Sequence, residues 1–270
     1  MCTWTVFPTE QFVHILDGCI PPEVSILNLP DSVPCAAAIL RSKDFIVEAS
    51  TGDPHCYTKS PQLQWILYKL QWDNTLGFVA EGNGTQLEAT DNGHEWHLQK
   101  RQLAYGVYRV VVEATMPGDP EGLTIDDGYF NITKSQLVAE IAGGSKITRG
   151  VGTVVSLNGA SSRDPDVEPG DHSSLHFTWL CKNHQESFPI GSLASLPIVT
   201  KSSGPGNGGC FGTGIGRLDT SEATLALETT KMTIGESYDV KLVVTKGNRE
   251  ADFIQEIEIV SGEPPEITIR

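Results

Sequence analysis

The sequence predicts an all-β chain of tandem β-sandwiches, and three observations carry that prediction. Runs rich in Val, Ile, Thr, Tyr and Trp recur along the 270 residues, separated by Gly- and Pro-bearing turns. No long segment has helical periodicity; residues 135–140 and 220–230 come nearest, and both read equally well as strands or loops. The strand signals also repeat in kind. Leu63-Gln64-Trp65-Ile66-Leu67 corresponds to Phe177-Thr178-Trp179-Leu180-Cys181, and Tyr108-Arg109-Val110-Val111-Val112 to Tyr238-Asp239-Val240-Lys241-Leu242.

Each repeat thus carries a strand-borne Trp and, later, a strand-borne Tyr. In immunoglobulin-like sandwiches a mid-domain Trp packs in the core, and a Tyr near the start of a late strand closes a corner by bonding back to the backbone. Trp65, Tyr108, Trp179 and Tyr238 are therefore expected as core residues rather than as a ligand-stacking platform. Met232, Gly235 and Tyr238 have the spacing of the tyrosine corner in fibronectin-type domains, with Ile234 where that pattern usually has Pro. The expected architecture is tandem immunoglobulin/fibronectin type III-like sandwiches, two in a chain of this length.

Residues 1–19 read as the tail of a preceding unit and 20–134 as the first module. Its strands are expected at 24–29, 45–49, 62–70, 85–89, 95–99, 108–115 and 129–133, each β-branched or aromatic and bounded by turn residues. Asp126-Asp127-Gly128 reads as turn chemistry. Residues 135–262 read as the second module, with strands at 137–142, 153–158, 175–181, 225–228, 238–245 and 252–260. Lys246-Gly247-Asn248-Arg249 is expected to close a hairpin between the last two. Residues 263–270 read as the first strand of a following module, because Pro264-Pro265-Glu266-Ile267-Thr268-Ile269 repeats Pro21-Pro22-Glu23-Val24-Ser25-Ile26.

The formal charge of −15 disfavours nucleic acid and anionic lipid as partners. No stretch approaches the ~18 apolar residues of a membrane span, and the first residues lack the basic start and apolar run of a signal peptide. None of the six cysteines forms a C-x-x-C pair, so zinc is disfavoured, and the even number fits disulfides in an oxidising compartment; the alternative is six reduced thiols. Cys181 and Cys210 are the only two in the second module, which points to a Cys181–Cys210 bridge closing the Gly-rich loop against the Trp179 strand. Among the other four, the preferred pairing is Cys35–Cys56 and Cys2–Cys19. Asn83-Gly84-Thr85 and Asn131-Ile132-Thr133 are glycosylation sequons, which fit the same compartment.

Few constellations offer chemistry. Asp164, Asp166 and Glu168 are closely spaced carboxylates of the kind a hard cation needs, but the loop lacks the EF-hand offsets; an Asp-Pro turn capping its own backbone is the competing reading. Gly212-Thr213-Gly214-Ile215-Gly216 has no helix after it, as a phosphate loop requires, and reads instead as a flexible loop pinned by Cys210. His94-Glu95-Trp96-His97 lacks metalloprotease spacing and reads as an exposed hairpin. No nucleophile elbow is present. Lys100-Arg101 and the basic residues from Lys246 to Arg249 read as solvated charges. The chain is expected not to be an enzyme and to need no cofactor.

The run Gln136-Leu137-Val138-Ala139-Glu140-Ile141-Ala142-Gly143-Gly144-Ser145, then Ser161-Ser162-Arg163-Asp164-Pro165-Asp166, then Phe177-Thr178-Trp179-Leu180-Cys181, resembles the receptor-for-egg-jelly (REJ) module of the polycystin-1 family. The first module agrees more loosely, through Cys19-Ile20-Pro21-Pro22-Glu23-Val24, Arg41-Ser42 and Gln64-Trp65. The resemblance implies an extracellular part of a longer protein at the cell surface, the ciliary membrane included. It implies contact with an extracellular protein or glycan ligand, spacing or force sensing, and association of the parent protein with a polycystin-2-type cation channel. The alternative is a Ca2+- or carbohydrate-binding adhesion module with its site in loops 164–171 and 126–127.

Overall fold

The computed structural model describes residues 21–52, 59–90, 93–189, 196, 198–199, 209–212, 214–262 and 264. It divides the chain into two compact units, Met1–Ser135 and Gln136–Arg270. Residues 1–19 and most of 263–270, read above as flanking units, lie outside the described residues.

The first unit contains β1 Val24–Ile26, β2 Ala37–Leu40, β3 Phe45–Thr51, β4 Gln62–Asp73, β5 Gly77–Ala80, β6 Thr85–Leu87, β7 Glu95–Leu98, β8 Gly106–Met116 and β9 Asp119–Thr133. Among the described residues β1-β3-β7 form one sheet and β2-β9-β8-β4-β5 the other, with β6 also paired to β4. Alternation along the strands sends one set of side chains inward from each sheet. Val47, Trp96 and Leu98 meet Trp65, Tyr108, Val110, Val112, Phe130 and Ile132 in one core, which makes the unit a β-sandwich. Trp65 is fully buried and donates its indole N–H to the Gly93 carbonyl at 2.6 Å. Phe130 stacks on Tyr108 with ring centroids 5.4 Å apart.

Asp126-Asp127-Gly128 is not a turn. These residues lie within β9, paired with Val110, Val111 and Val112 of β8. Gly128 is there because Leu29 passes close by: a Cβ on Gly128 would stand 2.7 Å from Leu29 Cβ. Nor is His94-Glu95-Trp96-His97 a hairpin outside the core. Glu95, Trp96 and His97 belong to β7, and Trp96 is buried.

The second unit contains β10 Lys146–Gly150, β11 Val154–Asn158, β12 His176–Asn183, β13 Ile198–Val199, β14 Gly216–Leu218, β15 Thr224–Glu228, β16 Ser237–Lys246 and β17 Arg249–Val260. Its described sheets are β11-β15 and β10-β17-β16-β12-β14-β13. Val155, Leu157, Leu225 and Leu227 of the small sheet pack on Trp179, Val240, Leu242, Ile257 and Ile259 of the large one. Trp179 is fully buried, and its indole N–H reaches the Glu222 carbonyl at 2.9 Å.

Residues 137–142 do not form the expected strand; the first strand of the unit is β10. Val138 makes a single antiparallel bridge to Arg163. Leu137 and Ile141 are nevertheless buried in the core, so their apolar pattern reports packing without a ladder. Gly143 and Gly144 then turn the chain, with φ of 93° and 83°. Gln255 Nε2 holds that turn by donating to the carbonyls of Ala142 (3.1 Å) and Gly144 (2.6 Å).

Both corner tyrosines bond back to nearby backbone. The Tyr108 hydroxyl donates to the Ala104 carbonyl at 3.0 Å. The Tyr238 hydroxyl accepts from the Thr233 N–H at 3.0 Å.

Candidate functional site

An early strand of each unit pairs parallel with that unit's last described strand. In the first, Ala37 to Leu40 lie in register with Phe130 to Thr133. In the second, Lys146 to Gly150 lie in register with Glu256 to Val260. The second ladder continues past both ends of β10, through Glu256 N–H to the Ser145 carbonyl (2.8 Å) and Val151 N–H to the Val260 carbonyl (3.0 Å). A regular parallel ladder bonds alternate residues, so Ile147 and Arg149 carry the bonds between these ends. Pulling the entering and leaving chains apart slides such a pair along its own axis and loads all the bonds together.

A buried acid–base cluster joins the Ser-Ser-x-Asp-Pro-Asp loop to the β16–β17 hairpin. Arg249 Nη1 and Nη2 lie 2.9 and 2.6 Å from the two oxygens of Asp164. Arg249 Nη1 is also 3.2 Å from Asp166 Oδ2, and Lys246 Nζ is 3.0 Å from Asp164 Oδ2. Burial pushes the Asp164 carboxyl up, but the Arg249 guanidinium, the Asp166 N–H and Lys246 outweigh it and hold it down at about 2.

Asp164 and Asp166, the weak Ca2+ candidates, are engaged inside the protein. Their carboxylates are neutralised by cations of the chain itself, and Glu168 is exposed. The Asp-Pro turn is present, since Asp164 Oδ1 accepts the Asp166 N–H at 3.1 Å. The companion acidic pair is engaged as well. Asp126 Oδ2 accepts the Ile26 N–H at 2.7 Å, and Asp127 Oδ2 meets Arg109 Nε at 2.6 Å and the Tyr129 hydroxyl at 2.9 Å. Burial and the neighbouring Asp127 push Tyr129 up to about 12. Lys246 and Arg249 are thus not solvated surface charges; their side chains are 20% and 14% exposed.

Cys181 and Cys210 form a disulfide, with Cα atoms 5.4 Å apart. Around Cys210 the loop is not free chain. Residues Gly209–Phe211 make a buried 3-10 turn, and Gly216 already belongs to β14. Cys35 is also disulfide-bonded. Cys2, Cys19 and Cys56 lie outside the described residues, so the two proposed first-module pairings fall there too. Asn83 is exposed between β5 and β6; Asn131 is half-buried in β9.

One cluster had no signal in the linear sequence. Lys182 of β12 and Asp239 of β16 are cross-strand partners, both buried, with Nζ 2.5 Å from Oδ2. His184 Nδ1 lies 2.7 Å from the other oxygen, and Phe188 packs 4.8 Å over the ammonium. Only the strand register brings residues 57 apart in sequence together.

A family model described as the REJ domain matches residues 50–270. The chain is similar to human polycystin-1, with 25% identity over 254 residues, which is 93% of this chain and 5% of that protein. Among solved structures it is similar to sidekick-1 immunoglobulin domains 1–4, at 11% identity and a TM-score of 0.32, over 90% of this chain and 50% of that one. It is also similar to a chimeric titin Z1Z2, at 13% identity and a TM-score of 0.31, over 88% of this chain and 97% of that one. The all-β assignment stands on the ladders and cores described above.

Proposed function

The chain belongs to the REJ-domain family, and from that premise we propose that it is a non-enzymatic, force-bearing extracellular segment of a longer polycystin-1-like membrane protein. The parallel pairing of an early strand with the last described strand in each unit carries this reading. Shear loading across a parallel ladder breaks several backbone bonds at once, whereas peeling breaks them one by one. The Cys181–Cys210 bridge limits how far the second unit can extend once that ladder opens. Disulfides and sequons support an oxidising, secretory setting. Through its parent protein the segment would space and contact extracellular protein or glycan ligands and pass tension to a polycystin-2-type channel.

Single-molecule pulling from the two termini tests the reading, because forced unfolding is governed by the unfolding barrier. Arg149→Pro removes an N–H that bonds to β17 and should lower the unfolding force of the second unit. Thr148→Pro falls on the unbonded edge of β10, where proline is tolerated, and should lower it much less. Equal forces for both variants and the wild type would sink the proposal.

A further inference from the structure

The outward face of the first unit carries an aromatic patch beside a sequon. Register decides which side chains share that face. Tyr108 and Phe130 are partners and both are buried, so the adjacent partners Val107 and Asn131 face outward. Val107 pairs with Leu70, and Leu70 with Ala80. Asn131, Val107, Leu70 and Ala80 therefore form one row across β9, β8, β4 and β5. The next row on the same face holds Trp72 opposite Phe78. Their rings meet edge to face with centroids 5.1 Å apart. Trp72 is 65% exposed and Phe78 41%.

The patch is shaped in advance. Asp73 Oδ1 accepts the N–H groups of Thr75 (2.8 Å) and Leu76 (2.9 Å), which fixes the turn between β4 and β5. A Trp and a Phe side by side on a soluble surface form the kind of exposed apolar patch that usually has a cover. Strand spacing and rise place Trp72 roughly 12 Å from Asn131, within reach of the first sugars of an N-linked chain. The row between them carries no charge: Val107 is half-buried, and Leu70, 9% exposed, forms the floor beneath its neighbours. A pyranose can lay its apolar C–H face along such a row and against an indole while its hydroxyls stay in water.

We propose that the N-linked glycan of Asn131 folds back across Val107 and covers Trp72 and Phe78. This rests on the secretory reading given above. The Asn83 glycan, at the β5–β6 connection, serves as the internal comparison.

The test uses the whole chain made through the secretory route of mammalian cells. Glycopeptide mass spectrometry should find Asn131 occupied. Hydroxyl-radical footprinting then compares the glycoprotein with the same folded protein after enzymatic removal of its N-glycans, so that no substitution need fold. Removal should raise oxidation of Trp72, relative to Leu123 at the far end of the same sheet, by roughly two- to threefold, since a covered indole face regains about half of its accessible area. Asn131→Gln should reproduce the rise, and Asn83→Gln should not. An unoccupied Asn131 overturns both the glycosylation reading at this residue and the covering. An occupied Asn131 with an unchanged Trp72 rate overturns the covering alone. Protection of Trp72 that appears only as protein concentration rises assigns the patch to a second copy of the chain and overturns it as well.

Discussion

Arg249 grips Asp164 with both guanidinium ends, at 2.9 and 2.6 Å, across a sequence separation of 85 residues. Bidentate charge-assisted bonds are the strong ones, and here they tie the loop after β11 to the hairpin that begins β17. The carboxylate is 1% exposed and the guanidinium 14%, so water replaces little of the interaction when one partner is lost.

Removing either partner should therefore destabilise the second unit strongly. Asp164→Ala or Arg249→Ala is expected to cost ~3–5 kcal/mol, because each leaves the buried cluster of two carboxylates and two cations with one charge in excess. Hydrogen exchange of β16 and β17 in the intact chain reads this as a local opening. A cost below about 1 kcal/mol for both would show that the pair is solvent-screened, as exposed pairs are.

The same pair gives the second unit an acid-sensitive stability. Asp164 titrates at about 2 when folded, against an ordinary 3.8. A depressed folded value means that the stability is fully present above the ordinary value and is lost as pH falls through the folded one. The loss should be about 2 kcal/mol between about pH 4 and pH 2. Urea denaturation of the intact chain at those limits measures it. Asp164→Asn should abolish this part of the pH dependence; an unchanged acid limb would assign it to other carboxylates.

Trp179 is the largest group at the centre of the second core. Trp179→Ala is expected to cost ~3–5 kcal/mol, from the cavity and from the Glu222 carbonyl left without its donor. Thermal melting of the intact chain should lose or shift the transition of the second unit and leave that of the first.

Reduction of Cys181–Cys210, 29 residues apart, should destabilise the second unit by about 3–4 kcal/mol on the chain-entropy account. Both sulfurs are buried, so reduction should require opening of the core and be slow under native conditions. Rapid reduction without denaturant would show that the bridge is exposed.

Much of this fold is legible locally. Strand alternation around Trp65, Tyr108, Trp179 and Tyr238 is a short-range property, and these residues stand in the two cores. The errors share one cause. Asp126-Asp127-Gly128 has turn chemistry by composition, but the neighbouring ladder and the approach of Leu29 make it strand. Residues 137–142 have strand composition, but their backbone makes only the one bridge at Val138. β13 and β14 are too short to leave a periodic signal.

The sequence by itself determined an all-β chain, the two repeated Trp and Tyr anchors, the Cys181–Cys210 bridge and the family resemblance, because each rests on residues close in sequence or on a count. Only the tertiary structure decided what the charges do. Asp164, Asp166 and Glu168 read as an Asp-Pro turn with a weaker cation-loop alternative, and nothing near them in sequence announces that Arg249 and Lys246 arrive from a distant hairpin. Asn131 and Trp72 share a face only once three strands are in register. A buried charge takes whichever partner the fold brings within about 3 Å, and side-chain alternation becomes a shared surface only when ladders align it; neither is encoded at any single stretch of the chain.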